Sequence, residues 1–354
     1  MPYEIIVASP SRIEFREYVE RDPVANEVLV QTYVSGIKSG TELNLYRGAN
    51  PFVNEVWDKY LRLFRPSRED EELPAFFPHT LGSWASGVVR KVGPGVRKFK
   101  PGDLVHGGWK HRQTALMVED KLYPIRDETV LETMLFTDPS CFALAAIHDA
   151  SIKVGDMVAI FGMGAIGLIA VQLAKLNGAS KVIAIDPILG RLEVAKELGA
   201  DHLFDPREGD VSIAIKELSG GNGVDVSLEI AGSYDALQQA IRCVHREGLV
   251  VTAGYYGDST FHLDLAREWH HNRVTLRSSM PVWGCSHRHQ PMWNLARIEK
   301  TVIQLLEEGK IRVDPLIGAR LPFERAAEAY TMIDKSPDEK VKIILTYDTE
   351  NIEV

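Results

Sequence analysis

The sequence is poor in cysteine, with three in 354 residues. Cys141, Cys243 and Cys285 lie far apart and form no Cys-x-x-Cys pair, which argues against a structural zinc knot. Isolated cysteines in odd number are typical of a reducing compartment. The N-terminus also lacks the basic start and long apolar core of a signal peptide. We therefore expect a cytoplasmic protein.

Long apolar runs and an excess of basic charge are missing as well. No apolar run approaches the roughly 18 residues that span a bilayer. The formal net charge is −9 and the basic residues are scattered, which argues against a nucleic-acid partner. With 45% apolar and 25% charged residues, the composition is that of a soluble protein long enough for two domains. We expect a small-molecule substrate and neither a nucleic-acid nor a membrane partner.

Residues 1–150 are rich in short β-like runs broken by glycine and proline. Examples are the segments 27–36, 86–95 and 102–108. Short strands with regular turn signals predict an antiparallel barrel or sandwich. The segment 49–79 interrupts this pattern with mixed aromatic and charged residues. We interpret it as a long, partly helical insertion, which is either functional or a packed surface excursion.

Residues 151–315 alternate between apolar strands and helical patterns. "DMVAIFG" is followed by "AIGLIAVQLAKLN" and then by "KVIAIDP". This alternation predicts βαβ units and a doubly wound parallel sheet, and therefore an α/β fold class. The tail, 316–354, contains one helix pattern and one strand pattern. It is too short to form a domain, so we expect it to complete the first domain.

The stretch "VAIFGMGAIG" carries a glycine motif between a strand and a helix. Gly162 makes the tight turn, Gly164 lets the backbone approach a pyrophosphate, and Gly167 lets the helix pack against the strand. The helix N-terminus offers free N–H groups to phosphates. The predicted phosphate-binding turn comprises Gly162, Met163, Gly164, Ala165, Ile166 and Gly167.

The choice between NAD and NADP depends on Asp186, which ends the next strand 24 residues after Gly162. A carboxylate at this point accepts hydrogen bonds from both ribose hydroxyls and repels a 2′-phosphate. We therefore predict NAD. Arg191 leaves NADP open, because an arginine can hold a phosphate. Otherwise Arg191 flanks the adenosine ribose.

These motifs, in this order, resemble the medium-chain dehydrogenase/reductase superfamily, in its zinc-type, sorbitol-like alcohol and polyol branch. The resemblance rests on "EVLVQTYVSGIKSGTEL", on "TLGSWASGVVRKVGPGVRKFKPGDLV", on residues 154–201 and on "DPLIGARLPFERAAEAYTMI". It implies a GroES-like β-barrel catalytic domain, a Rossmann domain and a homodimer or homotetramer. It also implies further cofactor contacts at Ala231, Ala253, Gly254, Tyr255 and Lys342.

The departures from the family lie at its catalytic zinc. The family loop supplies a cysteine where "SGIKSGTEL" has Lys38 or Ser39, depending on the alignment. The His-Glu pair of the family is replaced by Ser83 and Trp84. The third ligand position falls at Asp138. Because at most one strong zinc ligand survives, we predict a chain without metal.

Without zinc, another group must polarise the substrate oxygen and move a proton. Lys38 supplies a positive charge, Asp138 either holds that lysine or acts as the base, and Thr41 matches the family's relay hydroxyl. The alternative is that Lys38 points to solvent and Asp138 caps the following helix. Both interpretations stay open from the sequence.

The substrate cleft is predicted from residue types near these positions. Candidate substrate-binding residues are Ser39, Glu42, Ser83, Trp84, Trp109, Lys110 and His111, with Trp283 and His287 from the loop "MPVWGCSHRHQPMW". That loop either faces substrate or forms a subunit contact. Aromatic and polar residues together favour a sugar, polyol or cyclitol.

Three functions are compatible with these features, and a reductase of activated double bonds, as in zinc-free members of the superfamily that usually prefer NADP and lack the Gly-Thr-Glu loop, is a further alternative. The first is an NAD-dependent, zinc-independent dehydrogenase of a secondary alcohol. The second is a redox-neutral lyase or epimerase that retains its cofactor. The third is an NAD(H)-binding sensor without catalysis. The retained Thr41 argues against the third, because a dead site has no use for a relay hydroxyl.

Overall fold

The computed structural model describes residues 1–49, 55–68, 76–256, 263–281, 290–336 and 341–348. The described strands of the first region are β1 (Tyr3–Ser9), β2 (Arg12–Glu17), β3 (Glu27–Gly36), β4 (Glu55–Asp58), β5 (Leu63–Pro66), β6 (His79–Thr80), β7 (Trp84–Val92), β8 (Leu104–Gly107), β9 (Thr114–Val118) and β10 (Leu122–Pro124). Helix α1 (Ser39–Arg47) follows β3, and helix α2 (Thr137–Ala150) follows β10. Three of these strands, β3, β7 and β8, coincide with the predicted runs.

The second region alternates strands and helices. Its strands are β11 (Met157–Phe161), β12 (Lys181–Ile185), β13 (His202–Phe204), β14 (Val224–Glu229), β15 (Val244–Thr252) and β16 (Thr275–Ser278). Its helices are α3 (Ala165–Leu176), α4 (Leu189–Glu197), α5 (Val211–Leu218), α6 (Tyr234–Cys243) and α7 (Leu295–Glu307). The strands form a parallel sheet in the order β13-β12-β11-β14-β15-β16. This confirms the predicted doubly wound sheet. Helix α6 ends at Cys243, because β15 begins at Val244.

The tail contributes β17 (Ile317–Pro322), α8 (Ala326–Lys335) and β18 (Lys342–Thr346). Strand β18 lies antiparallel to β3 and parallel to β17. The tail therefore extends the main sheet of the first region, whose order is β10-β8-β7-β3-β18-β17 with β9 beside β3. Within residues 1–150 the described strand pairs of this sheet are all antiparallel, as predicted, and the tail adds the parallel pair of β17 with β18.

The insertion 49–79 contains a β-hairpin where we predicted partial helix. Strands β4 and β5 pair antiparallel, and Trp57 packs on Phe64 with ring centroids 5.0 Å apart. The aromatic and β-branched residues of the two strands favour a pleated surface over a helix. Tyr60, in the turn, is 93% exposed.

Helix α2 packs between the two regions. Its sequence, "TDPSCFALAAIHDA", presents apolar residues on most sides, and ten of its residues are buried. Helix α2 contacts α3 and α7, and its apolar residues share one core with Val34 of β3 and Ile344 of β18. A helix that is apolar all round is expected inside a protein, where every side finds a partner. The first turn of α2 is thereby fixed against the end of β3.

The stretch Glu128–Ala150 is long and apolar enough to cross a membrane, by length and composition. Its most apolar window is 67% buried inside the protein, which is the situation of a core helix.

Candidate functional site

The site begins where β3 turns into α1. Lys38 is the residue before α1, and Asp138 lies in the first turn of α2. The Lys38 Nζ atom lies 2.7 Å from Asp138 Oδ2 and 4.2 Å from the centre of the Phe142 ring. No side chain caps the N-terminus of α2. Of the two alternatives left open by the sequence, the structure therefore shows the ion pair and not the cap.

The rest of the loop that follows Lys38 is more exposed. The Thr41 side chain is exposed, and its backbone N–H donates to Lys38 O at 3.1 Å. The Ser39 hydroxyl donates to Val341 O at 3.4 Å. Ser83 is half-buried just before β7, and Lys110 is exposed. These four residues lie at or near the surface.

Glu42 and His111 are buried, so the prediction that they line an open cleft is wrong. The Glu42 carboxylate accepts hydrogen bonds from Lys38 N–H at 2.9 Å, from the Tyr330 hydroxyl, and from His111 Nε2 at 3.1 Å. On the other side of the His111 ring, Nδ1 lies 2.7 Å from the Ser35 hydroxyl. Their polar atoms are occupied by protein groups, and a substrate would have to displace those partners to reach them.

Charge is concentrated in this buried network. Burial alone would raise the pKa of the Glu42 carboxyl, but the neighbouring His111 and the bonds from His111, Tyr330 and Lys38 N–H outweigh it and lower the pKa to about 2. Glu42 is therefore an anion at neutral pH. Because one of its donors is the backbone of Lys38, the anion fixes the start of α1.

Trp109 and Trp84 are also mostly buried. Trp109 belongs to the core of the first sheet, and its Nε1–H donates to Thr32 Oγ1 at 3.0 Å. The prediction that Trp109 contacts substrate is therefore wrong, because its polar atom already has a buried partner. Trp84 is 9% exposed, and its Nε1–H donates to His106 Nδ1 at 3.1 Å.

A cluster that the sequence analysis missed lies behind Trp84. The Trp84 ring stacks on Tyr123 with centroids 6.4 Å apart, and the Tyr123 hydroxyl donates to Glu299 Oε2 at 2.7 Å. Burial lowers the pKa of His106 to about 3, so its ring is neutral, with the proton on Nε2. His106 and Tyr123 face each other across β8 and β10, but Glu299 belongs to α7. The alternation of inward and outward side chains along β8 and β10 could have indicated His106 and Tyr123. No local signal in the sequence indicates Glu299.

The glycine motif forms the turn between β11 and α3. A Cβ atom at Gly162, where φ is +97°, would lie 2.7 Å from Ala231 N, and one at Gly167 would lie 1.8 Å from Gly162 O. A Cβ atom at Gly164 would meet nothing within 4 Å. The first and third glycines are therefore required by packing. Gly164 borders open space at the N-terminus of α3, where Ala165 and Ile166 begin the helix.

Asp186 follows β12 beside this turn. Its carboxylate accepts from Met163 N–H at 2.7 Å and from Ile188 N–H at 2.8 Å. Arg191 is half-buried in α4. The glycine turn and the fixed carboxylate at the carboxyl ends of two neighbouring parallel strands fit the pyrophosphate and ribose of a nicotinamide dinucleotide.

The remaining predicted cofactor residues lie in two places. Ala253 and Gly254 donate their backbone N–H groups to Glu229 O, at 2.8 and 3.2 Å, and Tyr255 is 54% exposed. Glu229 was missed by the sequence analysis. Glu229 is the last residue of β14. Its carboxylate accepts hydrogen bonds from Gly232 N–H and from the Tyr256 hydroxyl, and burial raises its pKa.

Lys342 lies at the start of β18, against Gly36, and within electrostatic range of Asp138, Glu42 and Lys38. Lys342 therefore lies near the Lys38–Asp138 ion pair. Trp283 and His287, the predicted residues of the long loop, lie outside the described residues.

The parallel sheet, the glycine turn and the adjoining mixed sheet define a nicotinamide-dependent oxidoreductase of two regions. A family model described as Zinc-binding dehydrogenase matches residues 165–297. The chain is 32% identical to D-guloside 3-dehydrogenase of Escherichia coli, over 97% of this chain and 99% of that protein. It is 27% identical to L-threonine 3-dehydrogenase of Pyrococcus abyssi, over 93% and 95% of the two chains.

A solved structure with the same fold is 2R,3R-butanediol dehydrogenase from Bacillus subtilis. It has a TM-score of 0.79 and 24% identity, and the match covers 98% of this chain and 100% of that chain. The chain belongs to the zinc-binding dehydrogenases of the medium-chain dehydrogenase/reductase superfamily. It is an alcohol dehydrogenase-type oxidoreductase, as the sequence predicted.

The residues at the family's zinc position do not fit a catalytic zinc. Such an ion needs three protein ligands of the Cys, His, Asp or Glu type. In the part of the chain that the structure describes, no three such side chains are grouped to hold a metal. Asp138 is the one strong ligand at these positions, and the Lys38 ammonium lies against its carboxylate.

We expect the substitutions Gly164→Ala and Gly167→Ala to act differently. Gly164→Ala adds a methyl group in open space, so the thermal midpoint should stay at the wild-type value while NADH affinity falls about tenfold or more, since the methyl blocks the pyrophosphate. Gly167→Ala should lower the free energy of unfolding by about 1–3 kcal/mol or more. Thermal unfolding and NADH fluorescence titration measure the two effects. Unchanged NADH affinity in Gly164→Ala would contradict this assignment.

Glu42 should make the protein sensitive to acid. Its pKa in the folded protein, about 2, lies below the ordinary value of 4.5, so its stabilising effect is fully present above about pH 4.5 and is lost as the pH falls toward 2. The shift corresponds to about 3 kcal/mol of unfolding free energy. Denaturant titrations at several pH values should show this loss in the wild type and a flatter profile in Glu42→Gln. Glu217→Gln, at an exposed position, serves as the control and should keep the wild-type profile.

Proposed function

We propose that the chain is an NAD-dependent, zinc-independent dehydrogenase that oxidises a secondary hydroxyl group of a sugar, preferably a glycoside. The observation that carries the proposal is the Lys38–Asp138 ion pair, at 2.7 Å, at the position where the family holds its metal. The similarity over almost the full length to a D-guloside 3-dehydrogenase supports the substrate class.

The preference for NAD rests on Asp186. Its carboxylate is held by two backbone N–H groups beside the glycine turn. A negative charge fixed at this point attracts ribose hydroxyls and repels a 2′-phosphate. The bound nicotinamide would accept the hydride of the alcohol carbon. The chain itself must then stabilise the negative charge that develops on the alcohol oxygen.

Lys38 is suited to this second task. Its ammonium is only partly exposed, at 18% of the side chain, and it is oriented by Asp138 and by the Phe142 ring. An ammonium about 4 Å from an oxyanion stabilises it by on the order of 4 kcal/mol at an effective dielectric constant near 20. A charge held in place before the reaction needs no reorganisation during it. Lys38 would therefore polarise the oxygen that a zinc ion polarises in other members of the family.

The proposal also accounts for the lack of a ligand set. Lys38 directly precedes α1, and its ammonium already lies beside the Asp138 carboxylate, where a metal ion would otherwise supply the positive charge. Trp84, which stands where the family has a carboxylate, makes its polar contact with His106 and not with the site. Lys38 at the metal-ligand position and Trp84 in place of the family's carboxylate both favour a site that works with a fixed side-chain cation.

The substrate and cofactor can be tested together. Purified protein should reduce NAD when supplied with methyl pyranosides, free hexoses or polyols, with glycosides giving the highest kcat/KM and NADP at least about tenfold less effective. Formation of NADH is followed at the absorbance band of the reduced nicotinamide. Sugar conversion without net NADH would instead favour a lyase or epimerase that retains its cofactor.

The role of Lys38 and the independence from zinc are tested on the same protein. Lys38→Met should lower kcat by about 10²- to 10³-fold, because the oxyanion loses its cation. Lys121→Met, at an exposed lysine of the same region, is the control and should change kcat little. Protein purified without a metal-chelating tag should contain no stoichiometric zinc and should keep its activity in strong chelator. One zinc per chain, removed together with the activity, would refute the proposal.

A further inference from the structure

The tail helix α8 places one polar group in the buried network beside Lys38. Tyr330 of α8 is 0% exposed, and its hydroxyl donates a hydrogen bond to Glu42 Oε2. Burial and the neighbouring carboxylate raise the pKa of this phenol well above its ordinary value, so the phenol stays protonated and keeps donating. Hydrogen bonds to a charged acceptor are roughly twice as strong as neutral ones. The tail therefore fixes Glu42 from 288 residues away in the sequence.

The other oxygen of the same carboxylate holds the backbone of Lys38. Glu42 Oε1 accepts from Lys38 N–H at 2.9 Å, and Lys38 O accepts from the N–H groups of Thr41 and Glu42 at 3.1 and 2.9 Å. Lys38 has φ −94° and ψ 82°, outside the helical range, so α1 alone does not set its conformation. The bond to Glu42 is the contact that holds its N–H group. With that bond in place, the side chain reaches Asp138 Oδ2 at 2.7 Å.

A second support of Glu42 also ends in the tail. His111 Nε2 lies 3.1 Å from Glu42 Oε2, and His111 Nδ1 lies 2.7 Å from the Ser35 hydroxyl. The Ser35 hydroxyl lies 2.9 Å from the hydroxyl of Tyr347, which follows β18 and is 6% exposed. The tail thus acts on the carboxylate directly through one phenol and indirectly through another. All these side chains are buried, so solvent cannot replace a missing partner.

We propose that Tyr330 is a positioning residue of alcohol oxidation, which acts through Glu42 on the direction of the Lys38 ammonium. The inference rests on the proposed function, in which Lys38 polarises the substrate oxygen. A misplacement of about 1 Å can lower a rate by about 10²-fold, even when the change lies far from the reacting atoms. The tail is in this way part of the catalytic apparatus, although Tyr330 is too buried to touch substrate.

Tyr330→Phe removes the hydroxyl and keeps the ring. Because Glu42 loses one of its three donors, kcat should fall by about 10- to 100-fold, while the NADH affinity stays within about twofold of wild type. Tyr46→Phe is the matched control. The Tyr46 ring stacks on Tyr330 with centroids 5.6 Å apart, but among the described residues its hydroxyl makes no hydrogen bond, so this variant should keep the wild-type kcat. A wild-type kcat in folded Tyr330→Phe would overturn the inference.

A double-mutant cycle tests whether Tyr330 acts through Lys38. Residues that act as a unit have non-additive effects on kcat, so Tyr330→Phe should change kcat by less than about twofold in the Lys38→Met background. A further loss of about tenfold or more in that background would mean that Tyr330 acts on another group or only on the fold, and would overturn the inference. If Lys38→Met alone leaves kcat at the wild-type value, the proposed function fails, and the catalytic role of Tyr330 fails with it.

A measurement without substrate separates this inference from the proposed function. The Lys38 Nζ atom lies 4.2 Å from the centre of the Phe142 ring, so the ring current of Phe142 should displace the nuclear magnetic resonance signal of Lys38 Cε. Protein with carbon-13 at lysine Cε gives this signal, and Lys38→Met assigns it. Tyr330→Phe should move it toward the position of an exposed lysine, and Tyr46→Phe should leave it in place. An unmoved Lys38 signal in Tyr330→Phe overturns the inference even if alcohols are oxidised.

Thermal midpoints show whether each variant is folded. If Tyr330→Phe does not fold, Tyr347→Phe carries the same test through the second support. Because Tyr347 reaches Glu42 only through Ser35 and His111, kcat should fall by about three- to tenfold, with a smaller movement of the Lys38 signal. A wild-type kcat and an unmoved signal in Tyr347→Phe would then overturn the inference.

Discussion

The carboxylate of Glu42 is the contact on which the site depends. It joins three parts of the chain that are distant in sequence: the start of α1 through Lys38 N–H, the loop after β8 through His111, and α8 through Tyr330. A buried anion with fewer donors would be costly, because desolvation is compensated only by complete hydrogen bonding. The network therefore enforces one path of the chain from β3 into α1. That path directs the Lys38 side chain at α2.

Around this anion the charges alternate in sign. Glu42 is negative, Lys38 is positive and Asp138 is negative, and Lys342 adds a second amine from the neighbouring strand. Both carboxylates have donors close by, so neither negative charge is left without compensation. In most medium-chain dehydrogenases a metal ion sets the local charge. In the proposed mechanism, side chains from the starts of α1 and α2 take over this task.

Features built from residues close together in the sequence could be predicted, whereas contacts between residues far apart in the sequence could not. The glycine turn and Asp186 follow one another within a single βαβ unit, so spacing alone identified them. Glu42, His111 and Trp109 were assigned to the cleft because of their residue types, yet the direction of a side chain depends on strand pairing that the sequence does not display. Partial helix was predicted for 49–79, where the described residues form a hairpin, for a similar reason. Glu299 reaches Tyr123 from a helix 176 residues away, and no local pattern could have indicated that contact.

The bond between Tyr123 and Glu299 joins the sheet of the first region to a helix of the second, behind Trp84. A rotation of one region against the other would have to break it and leave a half-buried carboxylate without its phenol. Such a loss costs about 1–3 kcal/mol. The stacked aromatic cluster behind Trp84 is thus tied to both regions of the chain through one phenol–carboxylate bond.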